Sequence, residues 1–176
     1  MRLRLALPVA ALLAAAGCSY TVASVSQVPV HEGRLDTDRK MPALACEYRL
    51  QKVTDGRPAS GDSGRLNLNV MHVEDAAATI GAQLRGYGLR APDAPSGRDV
   101  AIELKQMYLT QHLDVKIPVV VYGVQVGGAS PYLVRSEAST LNWVGSKGEA
   151  YSGFARALAD ANHRLLESLN QRCAQG

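Results

Sequence analysis

Apolar and polar positions change period several times along this chain, and each change predicts an element. Residues 46–54 alternate, which predicts a first strand with Tyr48, Leu50 and, at its end, Lys52 on one face and Arg49, Gln51 and Val53 on the other. Asp55-Gly56-Arg57-Pro58 and Gly61-Asp62-Ser63-Gly64 then break the pattern with glycine and proline, as a loop does. Leu66, Leu68 and Val70 alternate with Asn67, Asn69 and Met71 and predict a second, short strand. From about Val73 to Tyr87 the period lengthens. Val73, Ala77, Ile80 and Leu84 form one helical stripe, Glu74 and Asp75 suit the positive end of the helix dipole, and Gly86 and Gly88 stop the helix.

The next block is β. Val100, Ile102, Leu104 and Gln106 oppose Ala101, Glu103, Lys105 and Met107, the alternation of a half-buried strand over 99–110. Residues 115–126 follow with the β-branched run Val119-Val120-Val121, and Pro118, lacking a ladder donor, places that end at a sheet edge or a bulge. Residues 127–131 make a turn and Tyr132 to Val144 a third strand of the meander. Ser146 and Glu149 have capping-box spacing and open a helix that runs to about Arg172. Its apolar face carries Phe154, Leu158, Ala161, Leu165 and Leu169, with Arg156, Asp160, Arg164 and Glu167 largely pointing away. The expected fold class is α+β, one mainly antiparallel sheet of four to five strands with two helices packed on one face.

The N-terminus has a different character. Arg2 and Arg4 precede an apolar run, Leu5 to Ala14, and then the small residues Ala15-Ala16-Gly17 before Cys18. That run is too short for a bilayer span, which needs about 20 apolar residues. Leu13-Ala14-Ala15-Ala16-Gly17-Cys18 resembles the lipobox of bacterial lipoproteins. The resemblance implies cleavage between Gly17 and Cys18, a diacylated Cys18 thiol and an acylated new amine; the alternative is a plain signal peptide with a chance cysteine. It divides the chain into a signal peptide (1–17), a lipidated N-terminus and tether (18–44) and one periplasmic domain (45–176). Within the tether, Val22, Val25, Val28 and Val30 could add an edge strand, although an extended linker is preferred. Ser19 follows the cysteine, and by the same resemblance its not being aspartate points to the periplasmic leaflet of the outer membrane.

Removal of the signal changes how charge and cysteines read. The mature chain keeps 159 of 176 residues, enough for one cored domain, and losing Arg2 and Arg4 reduces the formal charge from +3 to +1. No dense basic run remains, and one Phe, one Trp and seven Tyr make a poor base-stacking surface, so nucleic acid is not an expected partner. With Cys18 assigned to lipid, Cys46 and Cys173 form an even pair in an oxidising space and are expected to be disulfide-bonded, the alternative being two buried free thiols.

Several stretches together resemble YajG-type envelope lipoproteins: the lipobox, Val53-Thr54-Asp55-Gly56-Arg57-Pro58, Leu84-Arg85-Gly86-Tyr87-Gly88-Leu89, and Trp143-Val144-Gly145-Ser146 before the last helix. The layout is also similar to the auxiliary lipoproteins of ABC-type intermembrane lipid transport systems and to TolB-type N-terminal domains. The resemblance covers about residues 46–172, with Gly56 standing where the family would have a small residue such as alanine. It implies a non-enzymatic envelope-maintenance or transport-accessory role and names no ligand.

Chemical signatures are sparse. Gly61-Asp62-Ser63-Gly64 is similar to a serine-protease nucleophile loop, but Arg65 replaces the next glycine and the chain is too short for two such barrels, so a polar turn is expected. His31, His72, His112 and His163 have no metal-ligand spacing, and the covalent lipid on Cys18 is the only prosthetic group expected. Asp55 and Arg57 could bind an anionic partner group or lipid head; alternatively Asp55 caps a turn and pairs Arg57, the preferred reading. Trp143 is either an exposed interface anchor or core packing. Expected partners are the membrane, through the lipid, and an envelope protein or transport complex.

Overall fold

The computed structural model describes residues 21–25, 40–58, 62–66, 69–112, 115–137 and 147–175. Its elements are β1 (Thr21–Val25), β2 (Tyr48–Asp55), β3 (Asp62–Leu66), β4 (Asn69–Val73), α1 (Ala76–Gly86), β5 (Arg98–His112), β6 (Val115–Val126), β7 (Tyr132–Arg135) and α2 (Lys147–Cys173). The fold is α+β. A four-stranded sheet has the order β2-β5-β6-β7, antiparallel except that β2 and β5 run parallel, and a smaller sheet has the order β1-β4-β3.

The parallel pair follows from the chain between its members: β3, β4 and α1 intervene, long enough for a crossover where a tight turn would force antiparallel pairing. The β5–β6 connection is short, and those two strands pair from Val100 opposite Val126 to His112 opposite Val115. Pro118 lies opposite Leu109, beyond the β7 ladder, which meets β6 only at Val121 to Val124. There its missing N–H costs no described ladder bond.

Two bulges explain where simple alternation fails. In β2 the register shifts between Leu50 and Lys52, so Tyr48 and Leu50 are buried but Val53, not Lys52, next packs against the core. In β5 the shift falls between Leu104 and Gln106. Val100, Ile102 and Leu104 face inward before it, Met107 and Leu109 after it, while Lys105 and Gln106 are exposed. One extra residue reverses the parity of every side chain beyond it.

The first helix begins later than its pattern predicts. Val73 is the last residue of β4, paired with Val25, and Asp75 adopts a left-handed turn (φ 51°) that re-aims the chain into α1. Its buried face is Ala76, Ile80, Gln83 and Leu84. The Gly61–Gly64 loop is also corrected. Asp62 to Leu66 is β3, antiparallel to β4. Gly64 is required there: its φ is +88°, and a side chain would come within 3.0 Å of the Leu109 carbonyl oxygen.

α2 lies across β6 and β7, with Phe154, Leu158, Ala161, Leu165 and Leu169 fully buried as the stripe predicts. α1 packs on β2, and a chain of buried polar groups joins the two helices on the same sheet face. Tyr122 Oη donates to Asn162 Oδ1 at 3.0 Å, and Asn162 Nδ2 donates to Gln83 Oε1 at 2.7 Å, all three residues fully buried. Asp160 departs from its expected outward position: it is 4% exposed and accepts the Glu137 N–H at 2.6 Å, holding the exit of β7 to α2.

The expected tether is partly incorporated. Residues 21–25 form β1, parallel to β4, and Met41 and Leu44 pack against the core. Asn170 fastens the approach to β2 on both sides, accepting from Ala45 N–H and donating to the Ala43 carbonyl, each at 2.8 Å. Polar spacing near the N-terminus suggested a linker because β1 has its partner, β4, 44 residues or more away.

Candidate functional site

The Asp55–Arg57 turn is built by the end of β2 and aimed by both sheets. Gly56 N–H donates to the Leu104 carbonyl at 3.0 Å, carrying the turn along the β5 edge. Asp55 Oδ1 accepts the Arg57 backbone N–H at 3.2 Å, an Asx-type closure of a tight turn. The same carboxylate holds the Arg57 guanidinium with both oxygens, Nε to Oδ1 at 2.8 Å and Nη2 to Oδ2 at 2.6 Å. Arg57 then reaches the small sheet: Nη1 donates to Ser63 Oγ at 3.1 Å and Nη2 to the Val73 carbonyl at 2.9 Å.

Arg57 is therefore a tie between β2, β3 and β4. Its side chain is 3% exposed and that of Asp55 20%. The fork geometry of guanidinium on carboxylate makes this a strong, oriented pair, and Arg57 holds the Asp55 carboxyl below the ordinary carboxylate range. Gly56 belongs to the same arrangement, since a Cβ there would meet the Glu103 side chain, 2.2 Å from Oε1 and 2.8 Å from Cγ. A glycine at this position thus leaves room for Glu103, whose carboxylate pairs with Lys105 at 2.7 Å.

Beside the turn is an open groove of about 330 Å³, with Arg57, Pro58 and Gly64 on one side and Lys105 to Tyr108 on the other. A second depression of about 350 Å³ lies near the disulfide end, where Arg49, Arg98 and Arg172 converge around Asp99. These arginines are engaged: Arg49 pairs with Asp99 at 2.6 Å, Arg98 donates to the Arg172 carbonyl at 3.2 Å, and Arg172 stacks 3.8 Å above the Tyr132 ring. Among the described residues, the facing sides of helices and sheet are lined by packed, buried side chains.

Cys46 and Cys173 are bonded, with Cα atoms 5.9 Å apart and 127 residues between them. The bridge joins the end of α2 to Cys46, two residues before β2, and Tyr48 Oη reinforces it by donating to the Leu169 carbonyl at 2.7 Å. Of the other candidates, Gly17, Cys18 and Trp143 lie outside the described residues. Asp55 and Arg57 are brought together as a pair. Sequence reasoning missed Ser63, which is fully buried with its Oγ accepting from Arg57; no local pattern distinguishes such a serine from one in a polar turn. Among the described residues no group of three His, Cys, Asp or Glu could hold a metal.

No protein-family model and no curated protein sequence matches the chain. Solved structures do. The crystal structure of protein XCC0632 from Xanthomonas campestris, assigned to the family DUF330, superposes with a TM-score of 0.51 at 11% sequence identity, covering 89% of this chain and all of that one. The fold is DUF330-like. A crystal structure of an uncharacterized protein is also similar, with a TM-score of 0.43, 8% identity and coverage of 77% and 96% of the two chains. At these identities the DUF330-like likeness concerns the path of the backbone alone, so it carries the α+β architecture and no site residue.

Proposed function

We propose that this protein is a lipid-anchored accessory protein of the bacterial cell envelope that acts by binding, not by catalysis, and sits on the periplasmic leaflet of the outer membrane. The observation that carries the compartment is the Cys46–Cys173 bridge, because structural disulfides persist in oxidising spaces. It leaves Cys18 as the single remaining cysteine, placed directly after a lipobox-like run with Ser19 following. The binding role draws on the sequence resemblance to envelope lipoproteins and on the inward use of the Asp55–Arg57 ionic pair, whose hydrogen bonds serve the fold.

Metabolic labelling with a palmitate analogue tests the anchor. Wild-type protein is labelled, cut before Cys18 and recovered with outer membranes, whereas Cys18→Ala accumulates as an unlabelled precursor. A normally processed Cys18→Ala protein overturns the reading.

A narrower reading, auxiliary lipoprotein of an ABC-type intermembrane lipid transporter, is favoured by the sequence resemblance alone. The described faces of helices and sheet meet through buried apolar side chains, so we take this role to operate through protein contact. Crosslinking in the intact envelope recovers transporter subunits if it holds, and their absence removes it.

A further inference from the structure

We propose that the folded domain rests directly on the phospholipid surface, with the β3–β4 and β5–β6 hairpin ends toward the bilayer and the Cys46–Cys173 end facing away. This rests on the lipidation of Cys18 proposed above, and goes beyond it by assigning the membrane-facing surface.

The first argument is chain length. Three peptide steps separate Cys18 from Thr21, the first residue of β1, so the acylated residue lies within about 11 Å of the folded sheet. A free spacer over the whole of 18–44 would instead reach roughly 90 Å when extended. The parallel ladder of β1 with β4, from Thr21 opposite Asn69 to Val25 opposite Val73, removes that freedom.

Direction is set by register. Thr21 is level with Asn69, and Asn69 pairs with Leu66, so the chain enters from the membrane at the closed end of the β3–β4 hairpin. The opposite end of that hairpin is held by Arg57 through Ser63 and Val73, and the Arg57 turn is itself bonded at Leu104 of β5. One residue beyond Ser63, Gly64 crosses β5 closely at Leu109. Passing from Arg57 toward Leu66 therefore follows β5 from Leu104 past Leu109, toward its hairpin end at His112 and Val115. Arg98, at the other end of β5, bonds the Arg172 carbonyl beside the disulfide, about 35 Å from Leu109 along the strand. The lipid and the disulfide thus sit at opposite ends of the domain.

Only one free thiol exists when a cysteine is added to the acylated, disulfide-bonded protein, which allows a direct test. Full-length lipidated Thr110→Cys and Ala129→Cys proteins are labelled with a donor fluorophore. They are reconstituted in phosphatidylethanolamine–phosphatidylglycerol vesicles containing a headgroup-linked acceptor. Thr110 lies near the β5–β6 hairpin end and Ala129 in the turn after β6, at the disulfide end. Energy transfer is expected to be at least threefold greater from position 110. Insertion of roughly twenty Gly/Ser residues between Ser19 and Tyr20 is expected to erase most of that difference. Equal transfer from both positions, greater transfer from position 129, or no effect of the insertion overturns the orientation. Mass measurement of the N-terminal peptide separates the two failures: a missing acyl group sinks the anchor itself, whereas an acylated protein with the wrong transfer pattern sinks only the orientation.

Discussion

Arg57 Nη2 lies 2.9 Å from the carbonyl oxygen of Val73, the last residue of β4, while the same nitrogen is 2.6 Å from Asp55 Oδ2. One guanidinium therefore joins the turn after β2 to the end of the strand beside which β1 lies. Asp55→Asn leaves that cation buried with no described carboxylate on it, and Arg57→Met leaves Asp55 and the Ser63 and Val73 acceptors without it. Each is expected to cost about 3–5 kcal/mol, the range for breaking a buried pair from one side. Urea denaturation of single and double variants measures it. The double variant should lose less than the sum, and strict additivity would show that the pair is not coupled.

Acid should weaken the same tie. The Arg57 hydrogen bonds hold Asp55 below its unfolded value of about 3.9. Its contribution is therefore complete above that value and is lost as pH falls through the lower, folded one. Urea midpoints measured between pH 6 and pH 2 should decline most in the acid part of the range, with a smaller decline in Asp55→Asn. Identical pH profiles would remove Asp55 from the acid response.

The covalent staple has a predicted effect of similar size. Closing a loop of 127 residues stabilises by about 4–5 kcal/mol on the chain-entropy view. Cys46→Ser, Cys173→Ser and the reduced wild type should all unfold at much lower denaturant, and by similar amounts. Free thiols at both positions in protein isolated without reductant would contradict the bridge.

Asn162 tests whether the buried polar chain is structural. Asn162→Leu strands Tyr122 Oη and Gln83 Oε1 in the core, at about 1–3 kcal/mol for each unsatisfied group. Thermal unfolding should show the loss, and adding Gln83→Leu should restore part of it. Burial also raises the Tyr122 phenol well above its ordinary value, so it should remain neutral in spectrophotometric titration until the protein unfolds. Titration near pH 10 in the folded state would contradict its burial.

Much of the fold was legible because periodicity reports burial locally. The long α2 stripe from Phe154 to Leu169 needs only a consistent inner face, and the β5–β6 hairpin two β-rich runs with a short connection; both formed where their patterns predict, although the inner face of β5 changes at its bulge. The even cysteine pair was also legible, since the N-terminal motif assigns the third cysteine elsewhere. The site was less so. Asp55 and Arg57 are two residues apart, and their mutual pairing is a local expectation; that Arg57 also reaches Ser63 and Val73 is not.

What the tertiary structure alone decided has a common physical cause: partners distant in sequence. β1 is a strand because β4 offers an open ladder, and β2 runs parallel to β5 because three elements intervene. Val73 joins a sheet instead of the helix its spacing suggests, and each bulge reverses a face that alternation would continue. The sequence by itself determined the periods, the turns and the cysteine arithmetic, which depend on neighbours along the chain. Registers, sheet order and the pairing of Thr21–Val25 with β4 depend on hydrogen bonds between remote segments, and no local pattern encodes those.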